Sequence, residues 1–275
     1  MLSKEAGLTA RDPIARRPGR ELRFRSIASA ALAALHHREL KNMGDLKDLK
    51  DAETKLLLTA NDGSTVTIHF VGEPSAIGAI VNYVTNTANQ PKKYGNHIYV
   101  WQTTSNIVPW AKSPDGFTAI DTDSSTSTQP VDFPFEDKGY ILGYAVAATP
   151  NAVCSTIYVP QGSLDNPQAW QYANNSVKTL YVGTNLVQAR YQVLQSYDAV
   201  ANKNWLGLWQ GSTVPYSGDP LKKVSVTQGG DSGTVNFTGV KLTINTTYSI
   251  GYFMVDQISG RTSLAATSTF TVGKA

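Results

Sequence analysis

Ala79-Ile80-Val81-Asn82-Tyr83 and, after a loop, His97-Ile98-Tyr99-Val100-Trp101-Gln102 form a block that returns without a gap as Val187-Gln188-Ala189-Arg190-Tyr191 and Trp205-Leu206-Gly207-Leu208-Trp209-Gln210. Tyr83 and Tyr191, Asn96 and Asn204, and Trp101 and Trp209 are each 108 residues apart. The same spacing returns downstream in Tyr140/Tyr248, Gly143/Gly251 and Tyr144/Tyr252. Between these anchors Val131-Asp132-Phe133 matches Val235-Asn236-Phe237 at a spacing of 104. The copies close on Ser155-Thr156-Ile157-Tyr158-Val159 and Ser268-Thr269-Phe270-Thr271-Val272. One such match is weak, but several at one spacing and in one order mark an internal duplication.

Each copy reads as short strands separated by turns. The strands expected in the first are 65–70, 77–84, 97–102, 117–120, 130–133, 140–147 and 153–159. In the second they are 179–182, 188–195, 205–210, 223–227, 233–237, 247–254 and 268–272. Ile98 and Val100, like Leu206 and Leu208, alternate onto one face. Asn61-Asp62-Gly63, Pro114-Asp115-Gly116, Ser217-Gly218-Asp219-Pro220 and Gly229-Gly230-Asp231 supply turn chemistry. The expected fold class is all-β: two tandem β-sandwich domains at 59–160 and 176–275, joined by a linker at 161–175 and preceded by a short α-helical arm at 1–58.

The copies resemble immunoglobulin-like sandwiches in two details. A Trp stands in the third strand of each, where that fold buries its central Trp. Glu136-Asp137-Lys138-Gly139-Tyr140 and Thr246-Thr247-Tyr248 resemble the tyrosine corner. The position two after each Tyr, a Cys in antibody domains, is Leu142 or Ile250, so the resemblance implies a core held by packing alone. Lys203-Asn204-Trp205-Leu206-Gly207-Leu208-Trp209, followed by Gly-x-Val-x-Phe and Tyr-x-x-x-Tyr, also resembles the SKICH-like Ig-fold module over about one copy. That likeness implies an accessory β-sandwich rather than a catalytic domain.

The 275 residues are 41% hydrophobic and 16% charged, ample for packed cores under a thinly charged surface. The net charge of +3 is uneven. Residues 1–40 hold eight basic and four acidic side chains, a local excess of +4, and the remainder is close to neutral. Within this arm, Phe24, Ile27, Ala28, Ala31, Leu32 and Leu35 recur at helical spacing over 21–40, and a second helix is expected over 45–58. Three readings stand for the arm: a helix docked on a β-domain, a targeting segment, or a binder of nucleic acid or anionic lipid. Eight basic residues with few aromatics make nucleic acid the weakest of these. No run approaches the roughly 18 apolar residues of a membrane span.

Motifs that point to chemistry have plainer explanations. Gly230-Asp231-Ser232-Gly233 has the form of a serine-protease nucleophile segment, which needs a His base and an orienting Asp; it also reads as a hairpin turn. His36, His37, His69 and His97 make no ligand set. Asp115 to Asp123 lacks EF-hand spacing. Asn174, Asn236 and Asn245 head glycosylation sequons. Cys154, the lone cysteine, excludes an intrachain disulfide and reads as a small buried hydrophobe in a reducing compartment, so a cytoplasmic location is expected. No catalytic, cofactor-binding or metal residue is assigned, no cofactor is expected, and the chain is read as no enzyme. The expected function is a structural or self-assembling protein with protein partners, its own copies among them. The alternative is a carbohydrate- or membrane-binding module using Tyr158, Trp110, Trp170 or Tyr216.

Overall fold

The computed structural model describes residues 58–61, 63, 65–255 and 261–273. The helix expected over 21–40, and all but Leu58 of the one expected over 45–58, lie outside them. Among the described residues every regular element is a strand, apart from 3-10 turns at Pro150–Ala152 and Pro167–Ala169. The chain there is all-β and antiparallel throughout.

The strands are β1 (Leu58–Asn61), β2 (Thr67–Phe70), β3 (Ala79–Val84), β4 (His97–Gln102), β5 (Gly116–Ala119), β6 (Thr126–Val131), β7 (Tyr140–Ala145) and β8 (Val153–Val159). They continue as β9 (Gln171–Asn174), β10 (Ser176–Val182), β11 (Leu186–Gln192), β12 (Trp205–Gln210), β13 (Lys222–Ser225), β14 (Ser232–Thr238), β15 (Thr246–Phe253) and β16 (Leu264–Val272). The first half builds sheets β2-β3-β6 and β5-β4-β7-β8-β9, and the second builds β10-β11-β14 and β13-β12-β15-β16-β1. Strand for strand, the two orders are the same.

Each pair of sheets packs into a β-sandwich around rings that the duplication repeats. Tyr83 of β3 meets Tyr144 of β7 at 5.4 Å, and Tyr191 of β11 meets Tyr252 of β15 at 5.6 Å, all four buried. Beside them Tyr144 donates to Asn96 Oδ1 at 2.9 Å, and Asn204 Nδ2 donates to Tyr252 Oη at 2.7 Å. Each buried phenol thus gains an amide partner where unpaired polar atoms are costly. The tyrosine corners form as well: Glu136 N donates to Tyr140 Oη at 3.0 Å and Thr243 N to Tyr248 Oη at 2.8 Å.

Four sequence expectations need correction. Leu58 opens β1 instead of closing a helix, and the linker expected at 161–175 contains β9. Both are short edge strands that take their order from a neighbour, which leaves little local signal. The copies also align differently at two places. Ala79 faces Val131 and Val187 faces Phe237, so Val131 corresponds to Phe237, two residues from the sequence match. Tyr140 faces Val159 and Tyr248 faces Phe270, again a shift of two. A shift of two keeps every side chain on its own face, so loops absorb it without disturbing the core.

The third-strand tryptophans supply the fourth correction. Ile98 and Val100 pair across to Tyr144 and Leu142 on the inner face, which puts Trp101, opposite Ile141, on the outer one. Trp101 is buried there, its Nε1 donating to Lys112 O at 3.1 Å in the β4–β5 loop. Trp209 likewise joins Trp205, Val214, Phe253 and Leu264 in a separate apolar cluster outside the sandwich. Glycine makes room for these rings: a Cβ on Gly207 would lie 2.3 Å from the Trp209 ring.

Candidate functional site

The two halves are joined by more than a linker. β1, which leads into the first sandwich, pairs with β16, the last strand of the second; β9, which leads into the second, pairs with β8 of the first. Register makes the exchange reciprocal. Tyr144 faces Ser155 as Tyr252 faces Ala266, so Cys154 and Ala265 are equivalent. Asn175 N donates to Cys154 O at 2.8 Å, and Val66 N to Ala265 O at 3.3 Å. Each half thus hands its leading strand to the other, a reciprocal exchange like that across the isologous interface of a symmetric dimer, here within one chain.

Asn175, the one residue between β9 and β10, is buried at this crossing. Its Oδ1 accepts from Leu194 N at 2.9 Å and its Nδ2 lies 3.2 Å from Met254 Sδ. A second reciprocal contact comes from a short motif the sequence reading missed, Val108-Pro109-Trp110 and Val214-Pro215-Tyr216. Trp110 packs on Tyr197 of the other half at 4.8 Å and donates to Gln195 O at 3.1 Å. Tyr216 stacks on Tyr94 of the first half at 5.2 Å.

The aromatics proposed for sugar stacking are therefore engaged elsewhere. Trp110 and Tyr216 join the halves, Trp170 is buried with Nε1 donating to Ser163 O at 2.7 Å, and Tyr158 Oη donates to Thr104 O at 3.0 Å. The Gly230–Gly233 string has a structural job: Asp231 Oδ1 accepts from Ser196 N at 2.7 Å, and Ser232 opens β14. His69 lies in the other half, 4.9 Å from the Tyr172 ring. In the acidic loop, Asp115 binds Lys112 and Gln102 N, whereas Asp123 binds Lys93 N. Cys154 is buried, and burial pushes its thiol far above the usual range. His36 and His37 lie outside the described residues.

The surface that breaks the pseudo-symmetry is the outer face of the three-stranded sheets. In the first half Val71 and Ile80, hydrogen bonded through Val71 N and Ile80 O, and Pro130, opposite Ile80, form one cross-strand row. Val71 is 49% exposed, Ile80 47% and the adjacent Ile77 90%. They line a groove of about 440 Å³ whose charged residues, Glu73 and Asp132, are both acidic. The matching row in the second half is Tyr181-Gln188-Asn236, with Gln188 Nε2 donating to Asn236 Oδ1 at 3.1 Å. The next row there carries Lys178 and Arg190, both exposed. One face carries an apolar row with an acidic rim beside the polar row His69-Asn82-Thr128; its twin carries a polar row and a basic one, with Leu180 and Tyr181 exposed on β10.

No family model matches the chain, and no curated protein matches its sequence. Among solved structures, the BSP domain of a biofilm-associated protein aligns over 70% of this chain at 9% identity and a TM-score of 0.19. The aligned part spans about a quarter of that chain, 26%.

Proposed function

We propose that this protein is a non-enzymatic structural protein that self-assembles through the outer sheet faces of two tandem immunoglobulin-like sandwiches. The asymmetry between the two three-stranded faces carries the reading. Pseudo-symmetric positions share one fold and one packing role, so the apolar row Val71-Ile80-Pro130, whose counterpart is Tyr181-Gln188-Asn236, is a departure that the core does not require. Exposed apolar rows of this kind mark contact surfaces. The reciprocal strand exchange supports the same reading by holding the two faces at a fixed separation. Paired tyrosine corners support the immunoglobulin-like assignment. The finer likeness to SKICH-like modules rests on the 203–209 pattern alone. A lone, buried, unpaired cysteine fits action in the cytoplasm.

Light scattering of the full chain across a wide concentration range tests this. Mass is expected to rise with concentration, and a constant one-chain mass overturns self-assembly. A glycan-binding reading retains one supporting observation. Phe117, 69% exposed, lies 6.2 Å from Tyr99 and 5.9 Å from His97, an aromatic ladder on the outer face of the five-stranded sheet. Binding on a glycan array that is lost in Phe117→Ala would favour it.

A further inference from the structure

We propose that the outer face of β2-β3-β6 in one copy seats on the outer face of β10-β11-β14 in a second copy, a head-to-tail contact. This rests on the self-assembly reading and names its surfaces. The first face offers the row Val71-Ile80-Pro130, the protruding Ile77 and two acids, Glu73 and Asp132. The second offers exposed Leu180 and Tyr181, each 48% exposed, beside Arg190 and Lys178. A register break between Thr179 and Tyr181 accompanies the exposure of Leu180, as bulges commonly re-aim a side chain. The apolar row thus meets Leu180 and Tyr181 on the β10 side of the otherwise polar face, and the acidic rim meets a basic row.

Like faces do not suit one another. Two first-half faces would bring Glu73 and Asp132 against the same acids, and two second-half faces would bring Arg190 against Arg190. Opposite charges favour the mixed pairing and like charges disfavour the alternatives. Pairing through two of the edges is disfavoured too, because Pro130, which has no N–H, stands in the edge strand β6, and Lys222 and Lys223 stand in the edge strand β13. Every copy carries one face of each kind, so the contact is heterologous and repeats from copy to copy until it closes or runs on.

Two full-length variants test it. Ile77→Asn/Ile80→Gln places on the first face the residues that the second half carries at 185 and 188. Arg190→Glu reverses the charge of the second face. All three positions are exposed, and circular dichroism verifies that both variants fold. Each variant alone is expected to weaken association by about tenfold or more. An equimolar mixture should stop at two chains, since the intact second face of one seats on the intact first face of the other. If the wild type assembles and neither variant changes it, the contact is elsewhere and the proposal falls while self-assembly stands. If the isoleucine variant abolishes assembly and Arg190→Glu does not, two first-half faces meet and the head-to-tail contact is overturned. A wild-type chain that stays single at every concentration removes both readings.

Discussion

Trp110 of the first half lies ring to ring against Tyr197 of the second at 4.8 Å, and the Tyr197 hydroxyl donates to Asn151 O, back in the first half, at 2.7 Å. An aromatic contact with its polar ends satisfied adds to area burial. Trp110→Ala is therefore expected to lower unfolding free energy by about 1–2 kcal/mol, read by urea denaturation. Tyr216→Ala, at the matching position of the second half, should act in the same direction through loss of its stacking on Tyr94. Unchanged midpoints in both would mean the two loops do not hold the halves together.

The outer-face tryptophans should matter as much as core residues, because burial rather than side of the sheet sets the cost. Trp101→Ala and Trp209→Ala are each expected to lose about 3–5 kcal/mol. Gly207→Ala adds a methyl where the Trp209 ring already lies, and should lose about 1–3 kcal/mol by overpacking. A neutral Gly207→Ala would show that the ring moves aside freely.

Cys154 should be silent in the folded protein. Its thiol is buried and its ionisation suppressed by burial, and the thiolate is the reactive form. A thiol reagent is expected to react only after denaturant unfolds the chain. Rapid labelling of the native protein would place Cys154 at a surface.

Stability should fall at alkaline pH. Burial raises the Tyr83 phenol from 10.0 to about 12 and drives Tyr144 and Tyr252 up as well. The folded state then keeps protons that the unfolded state releases, so stability is full below the unfolded value of 10.0 and is lost as pH rises towards 12. Chemical unfolding midpoints measured from neutral pH upward check this. A midpoint that stays flat through that window would contradict it.

Removing residues 1–57 should leave the β-structure intact by circular dichroism, since β1 begins at Leu58. Removing residues 1–62 takes β1 away and leaves the edge of β16 unpaired. The longer deletion is expected to destabilise the second sandwich while the first, whose sheets take no strand from β1, keeps its exchange protection. Equal loss in both halves would show that the exchange couples them into one cooperative unit.

Much of the architecture is legible in the chain itself. The spacing of 108 between Tyr83 and Tyr191, and between Asn96 and Asn204, marks positions where identical packing demands the same residue, and β4, β8 and β12 begin and end where alternation places them. The face of a strand is also encoded: once Ile98 and Val100 point inward, Trp101 must point outward. Likeness to a fold that buries its Trp inside led to the opposite expectation.

Only the tertiary structure decided which partner each leading strand takes. Residues 58–61 and 171–174 are too short and locally neutral to declare a neighbour, and pairing depends on which open edge lies within reach after folding. The candidate contact faces were hidden for a related reason. Ile80 and Gln188, Pro130 and Asn236 read as unremarkable strand residues until register set them at equivalent places and showed one row apolar and the other polar. Sequence spacing establishes that two copies exist. Where they differ in space, and hence which surface is free to make contact, is a property of strand pairing across more than a hundred residues.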